Sequence, residues 1–272
     1  MRSIRLRRIT PALALAFALA AAFAAMVAVP GLIAPQSPTA IDPARALLPP
    51  SALHWFGTDD VGRDVFARVI HGARVTLGLV AGSLLISAVL GGGMGLAAGY
   101  VGGAADLAAG RFADMVLTFP PVIAGVVITG VLGQGAANLV LALAVVYLPT
   151  FFRIARSGAI AEAGRPYVEA ARACGSSEWA ILGRHIVPNV LPLVVLQYVI
   201  LFPLALQIEA ALGFLGLGVA PPTPDWGAIL EQGKNFILVA WWLSLWPGLF
   251  LLASATAVGI FARALQSGPG RM

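Results

Sequence analysis

Residues 75–99, VTLGLVAGSLLISAVLGGGMGLAAG, run for 25 positions without a charged side chain. At 1.5 Å per residue, a helix of that length is longer than the roughly 30 Å of hydrocarbon in a bilayer. In lipid every backbone N–H and C=O must find its partner inside the protein, so an isolated stretch of this kind has to be a helix. Five further windows read the same way: 11–33, 115–133, 136–152, 188–208 and 236–260. Hydrophobic residues make up 59% of the 272 and charged residues 11%, whereas an ordinary globular domain runs near 25% charged. The expected fold is all-α: a polytopic membrane protein of about six transmembrane helices, not a soluble enzyme.

The windows also divide the chain. They give an N-terminal segment 1–10, a first helix 11–34, a loop 35–74, and a core 75–264 holding five more helices and the polar loop 153–187, then a tail 265–272. With Arg2, Arg5, Arg7 and Arg8 ahead of an apolar run, the first segment opens as a secretory signal peptide does. Its apolar run is about twice the roughly 7–15 residues of a signal core, and more hydrophobic segments follow, so it is read as a retained helix.

Placing the N-terminus in the cytoplasm puts 12 of the 17 Lys and Arg residues on that side and 5 on the other. Positive charge gathers in short cytoplasmic loops, so both termini and the loop 153–187 are expected inside. The loop 35–74 works against this, since Arg45, Arg63, Arg68 and Arg74 stand among Asp42, Asp59, Asp60 and Asp64. The net charge of +5 lies beside apolar blocks, as topology signals do, which argues against a nucleic-acid partner.

Pro35, Pro38, Pro43, Pro49 and Pro50 exclude regular helix from the start of the loop 35–74. It then runs HWFGTDDVGRDVFARVIHGARVTL (54–77), where Gly57 and Gly62 read as turns and Asp64 with Arg68 as an i,i+4 ion pair on a short helix. Two readings stay open: an amphipathic segment on the membrane surface, or a docking surface for another protein built on Gly57, Thr58, Asp59, Gly62, Arg63 and Asp64. In the second window, Gly91, Gly92, Gly93, Gly95 and Gly99 suit close helix approach in lipid. Pro120, Pro121, Pro149, Pro203 and Pro247 lie inside apolar blocks and are expected to bend or break helices. Broken helices can line a cavity with free carbonyls.

The polar loop 153–187, RIARSGAIAEAGRPYVEAARACGSSEWAILGRHIV, reads as two short helices. Pro166 suits the first turn of one, with Tyr167, Ala170, Ala171 and Cys174 along one side. Gly175 suits the left-handed residue that ends it, Ser176 a cap for the next helix, and Glu178 that helix's first turn. A helix–glycine–helix joined directly to two spans has the form of a lever. An ordinary interfacial helix pair has the same periodicity.

Several chemistries are excluded. The single lysine, Lys234 in EQGKN, lacks the Ser or Thr and the upstream glycine of a phosphate loop. His54, His71 and His185 show no metal spacing, and no nucleophile–base set can be assembled. No cofactor, metal or catalytic residue is therefore expected on this chain. Cys174 is alone, so no intrachain disulfide can form. Glu209 stands near the end of the fifth window, where an acid is a candidate for the translocation path or for pairing with a neighbouring helix end.

Three stretches carry more than physics. EAARACGSSEWAILGRHIVPN (169–189) resembles the EAA loop of permease subunits of ATP-binding-cassette importers, with Glu169, Ala170, Ala171, Gly175 and Pro188 at the family's positions. His185 and Val187 depart from the usual Ile and Leu, and RHIVPN is similar to the version in the peptide-importer branch. EAALGFLGLGVAPPTPDWGAIL (209–230) and FGTDDVGRDVFARVIHGARVTL (56–77) look like the same branch, the C-type permeases of dipeptide, oligopeptide and nickel importers. The resemblance implies an importer-type permease fold in a bacterial plasma (inner) membrane. It implies partnership with a second, B-type permease, two ATP-binding subunits that use ATP and Mg, and an external solute-binding protein. Residues near 165–183 would form the helix that couples to an ATPase. A secondary transporter driven by an ion gradient is the rival, but it would need an internal repeat and embedded coupling carboxylates; neither is visible. The resemblance leaves dipeptides, oligopeptides and nickel all open as solutes.

Overall fold

The computed structural model describes residues 11–266, so the expected N-terminal segment 1–10 and the tail beyond Gln266 lie outside the described residues. Those residues are helical with no strand; the one β-bridge joins Thr58 to Asp64. Five helices are long and apolar enough to cross a bilayer: α1 (Pro11–Ala28), α3 (Val65–Val101), α6 (Ala136–Ala163), the run Glu178–Phe214 and α11 (Trp242–Gln266). The run Glu178–Phe214 comprises α8 (Glu178–Ile181), a π-helical turn (Leu182–Ile186) and α9 (Val187–Phe214). A short α2 (Pro30–Ile33) follows α1.

A sixth candidate crossing, third along the chain, is a bent pair of helices. Helices α4 (Gly103–Leu117) and α5 (Pro121–Leu132) meet at 93°. Pro120 and Pro121 remove two successive backbone donors, and a proline forces its predecessor out of helical geometry. Single prolines act more mildly: Pro149, Pro203 and Pro247 sit inside unbroken helices, where neighbouring groups re-satisfy the one freed carbonyl. The expectation that these prolines bend or break helices is met as a break at Pro120–Pro121, while the other three leave their helices continuous.

Helix α3 and the run Glu178–Phe214 each hold 37 residues, which is about 55 Å of helix and well beyond the hydrocarbon thickness. The extra length of α3 lies before the apolar window, so the loop expected at 35–74 ends at Asp64. Helix α3 packs most extensively along α6. On the facing side, Gly91, Gly95 and Gly99 lie against the backbone carbonyls of Leu148, Phe152 and Arg156, where even a Cβ would collide. Small residues four apart thus let two backbones touch, and Ser87 Oγ adds a buried hydrogen bond of 2.8 Å to the Ala144 carbonyl.

Two short helices mark opposite ends of the bundle. At one, α10 (Trp226–Lys234) packs among α9, α11 and the start of α3. Its Trp226 is fully buried and donates its indole N–H to the Val69 carbonyl at 2.9 Å. At the other end, α7 (Pro166–Ala173) links α6 to α8. Helix α1 packs on α11, with Phe17 and Phe261 edge to face at 4.8 Å.

Candidate functional site

The α7 end is built from local sequence signals. Pro166 opens α7, where its missing N–H costs nothing, and Arg165 before it is extended. The helix closes with Gly175 at φ +82. Gly175 N–H donates to the Arg172 carbonyl at 3.0 Å and Ser176 N–H to the Ala171 carbonyl at 3.1 Å. This paired closure needs a residue that accepts the left-handed region. The next helix is capped by Ser177, whose hydroxyl accepts from Ala180 N–H at 3.3 Å. The expected cap, Ser176, is used instead in closing α7.

Side chains tie this turn to three spans. Arg172 bridges the glycine to Glu178 at 2.9 Å. Glu178 also accepts from the Tyr100 hydroxyl at the end of α3. Tyr167 donates to Glu162 of α6 at 2.6 Å and accepts from Asn189 of α9 at 3.1 Å. Donation to Glu162 raises the Tyr167 phenol above its ordinary pKa, and the bond to Glu178 does the same for the Arg172 guanidinium. Val168 is buried and anchors α7 with Ile181 and Ile186, while Glu169, Ala170, Cys174 and Gly175 are exposed. Pro188 lies in the first turn of α9. Trp179 is 83% exposed. The surface is thus a rigid two-helix corner with an unpaired carboxylate and a bare indole.

The α10 end has the opposite character. Asp59 is fully buried and accepts from Val61 N–H at 3.0 Å, Arg63 N–H at 2.9 Å and Arg63 Nε at 2.6 Å, and from Arg68. Gln232 Oε1 of α10 accepts from Arg68 at 2.7 Å and Arg63 at 3.3 Å. Asp64 does not pair with Arg68 as expected. Its carboxylate caps α3 through Ala67 N–H at 2.7 Å and pairs with His54 Nδ1 at 2.8 Å. Thr58 is buried; its hydroxyl accepts from Leu48 N–H at 2.8 Å and its carbonyl from the Trp242 indole at 3.0 Å. Gly57 and Gly62 do make the expected turns, at φ +77 and +81. The set read as outward-facing is therefore largely a buried polar joint between the loop, α10 and α11. These six residues are thus turned inward, while much of the loop before them is exposed.

Glu209 is also internal. It is fully buried against Asp225, and neither carboxyl oxygen has a hydrogen-bond partner among the described residues. Asp225 itself is committed, accepting from Thr76 at 2.6 Å and capping α10 through Ala228 N–H at 3.1 Å. Glu209 thus belongs to the α9–α10 contact, not to an open wall.

Sequence reasoning missed one group of residues. Between α4, α6 and α9, toward α7, lie two adjoining openings of about 430 and 240 Å³ that share Arg153. Beside them Asp106 holds Arg156 through two bonds of 2.5 and 2.6 Å. A visible signal was Gln197, an amide inside the apolar window 188–208. Among the described residues no group of three or more His, Cys, Asp or Glu side chains is placed to hold a metal ion.

Five long apolar helices, a bent pair that makes a sixth candidate crossing, and a capped two-helix corner beyond them define a multi-pass membrane protein. Residues 91–269 match the model of the binding-protein-dependent transport system inner membrane component. The chain belongs to that family and is a permease subunit. It is 38% identical over 225 residues to the dipeptide transport system permease protein DppC of Alkalihalophilus pseudofirmus, covering 81% of this chain and 73% of that one. It is 37% identical over 240 residues to the di/tripeptide transport system permease protein DppC of Pseudomonas aeruginosa, with coverages of 86% and 79%. It is 38% identical over 233 residues to the nickel transport system permease protein NikC of Escherichia coli, with coverages of 85% and 84%.

Proposed function

We propose that this chain forms half of the translocation path of an ATP-driven importer of dipeptides or oligopeptides. It pairs with a second, similar B-type permease and receives solute from an external binding protein. Two separate ATP-binding subunits use ATP and Mg, and this chain binds neither. Both termini and α7 lie in the cytoplasm, where the Lys and Arg excess favours them. The observation that carries the coupling role is the α7 corner: exposed Glu169 and Trp179 on a unit hydrogen-bonded to α3, α6 and α9. Seated in an ATPase, such a corner passes a rigid displacement to three spans at once. The peptide assignment rests on the two dipeptide-system relatives. The nickel-system relative, at equal identity, supports nickel or its chelates as a second reading.

The test is reconstitution of the whole assembly in proteoliposomes, with labelled dipeptide and nickel offered in turn. ATP-dependent dipeptide uptake that requires the binding protein is the expected result; nickel uptake alone would replace the substrate, and uptake driven by an ion gradient without ATP would sink the proposal. The purified chain by itself is expected to hydrolyse no ATP.

A further inference from the structure

Down its open side, α6 changes character part way along. Toward α10 it presents Leu141 and Val145, 50% and 44% exposed, and toward α7 it presents Thr150, Arg153 and Ser157. The two halves border different openings. Val145 lines an apolar one of about 270 Å³ with Met115, Phe119 and Ile128. Thr150, Arg153 and Ser157 line the polar one of about 430 Å³ with Leu117 of α4 and Gln197 of α9. The adjoining space of about 240 Å³ adds Arg111 and Asp114. The 93° break of the third crossing lies between the apolar and polar regions.

The charges here divide into two kinds. Asp106 and Arg156 satisfy each other. Arg111, Arg153 and Gln197 make no side-chain hydrogen bond or ion pair among the described residues, and Asp114 is in none either, although Arg156 lies close enough to feel its charge. A long arginine reaching out of the hydrocarbon explains a lone Arg153. It does not explain an unpartnered amide ten residues into α9, or a hydroxyl at Thr150, on the same wall. Polar groups within a span are costly unless they face water or a ligand. The larger opening also falls in the size range of small-molecule sites, about 300–1,000 Å³.

We propose that this cavity is a solute site on the cytoplasmic half of the path, where Arg153 receives the carboxylate of a peptide and Asp114 its ammonium group. The planar guanidinium matches a carboxylate in fork geometry, which a lysine cannot reproduce. Gln197 and Thr150 are placed to hydrogen-bond the peptide unit between the charged ends, and the Ser157 hydroxyl, which donates to the Ile154 carbonyl at 3.0 Å, is left as an acceptor. Arg153 lies on α6, about ten residues before the helix ends at Ala163 and clear of the exposed α7 surface. The inference rests on the peptide reading above.

The experiment uses the complete assembly in proteoliposomes with saturating loaded binding protein and a labelled dipeptide. Arg153→Gln is expected to lower maximal uptake by about tenfold or more, the scale of one lost charge-assisted hydrogen bond. Hydrolysis of ATP stimulated by the binding protein stays near that of the unaltered complex, because the α7 surface is untouched. Arg153→Lys recovers part of the uptake, and Asp114→Asn lowers it without affecting assembly. Unchanged uptake in Arg153→Gln overturns the site, as does parallel loss of uptake and ATP hydrolysis in an assembled complex, which marks a structural or coupling role. If the unaltered complex takes up no peptide, the peptide reading falls, and this inference with it.

Discussion

The two ends of this bundle handle charge in opposite ways. At the α10 end, Asp59, Arg63, Arg68 and Gln232 are drawn into one buried joint, and Asp64 is divided between a helix cap and His54. At the α7 end, Glu169, Arg153, Arg111 and Asp114 stand open, and the Arg172–Glu178 pair is exposed. A buried charge has to be paired to be tolerated. An exposed one is free to meet something else. The α10 end is therefore a closed polar joint and the α7 end an open one, although both have similar proportions of charged residues in the sequence.

The strongest way to break that comparison is Asp59→Ala. It strands Arg63 and Arg68 without their carboxylate, and removing one partner of a buried pair costs about 3–5 kcal/mol. The subunit is expected to fall sharply in membrane abundance and in thermal midpoint in detergent; a variant with wild-type stability would show the joint to be dispensable. Next are Gly175→Pro and Glu169→Lys at the other end. Proline cannot reach φ +82, and lysine reverses the one free acid of α7. Both are expected to abolish uptake while membrane levels in immunoblots stay normal. Normal uptake in either, with all partners present, would remove the coupling role. The smallest effect is expected for Arg172→Ala, which deletes an exposed pair. Such pairs contribute little to stability, so the thermal midpoint stays nearly unchanged and uptake falls less than in Glu169→Lys. A large loss of stability there would mean that the α7 end is as locked as the α10 end.

How much of this was legible depends on the range of the interactions. Gly175, Pro166 and the helix that closes at Cys174 were readable because capping is decided within a few residues. Ser176 against Ser177 is a one-residue choice between two good caps: the Ser176 backbone is held in the closure of α7, which leaves Ser177 at the start of the next helix. The Asp64–Arg68 pair was misread because i,i+4 spacing ignores competing partners: Asp64 is consumed by the cap, and Arg68 reaches Asp59 and Gln232 instead. Burial of Glu209 and the convergence of Arg153 with Gln197 depend on contacts between helices far apart in the chain.

The sequence by itself determined that the chain lies in a membrane, how many crossings it makes, where its prolines and glycines end helices, and which family it resembles. Those properties follow from apolar run length and local backbone chemistry, which neighbours in sequence decide. Only the tertiary structure decided which charges are hidden and which are open. Burial is set by what other helices bring to a residue, as Gln232 does to Arg68 across 164 positions of chain. That division turned one acidic, arginine-rich loop into a joint and left the other polar loop free to act.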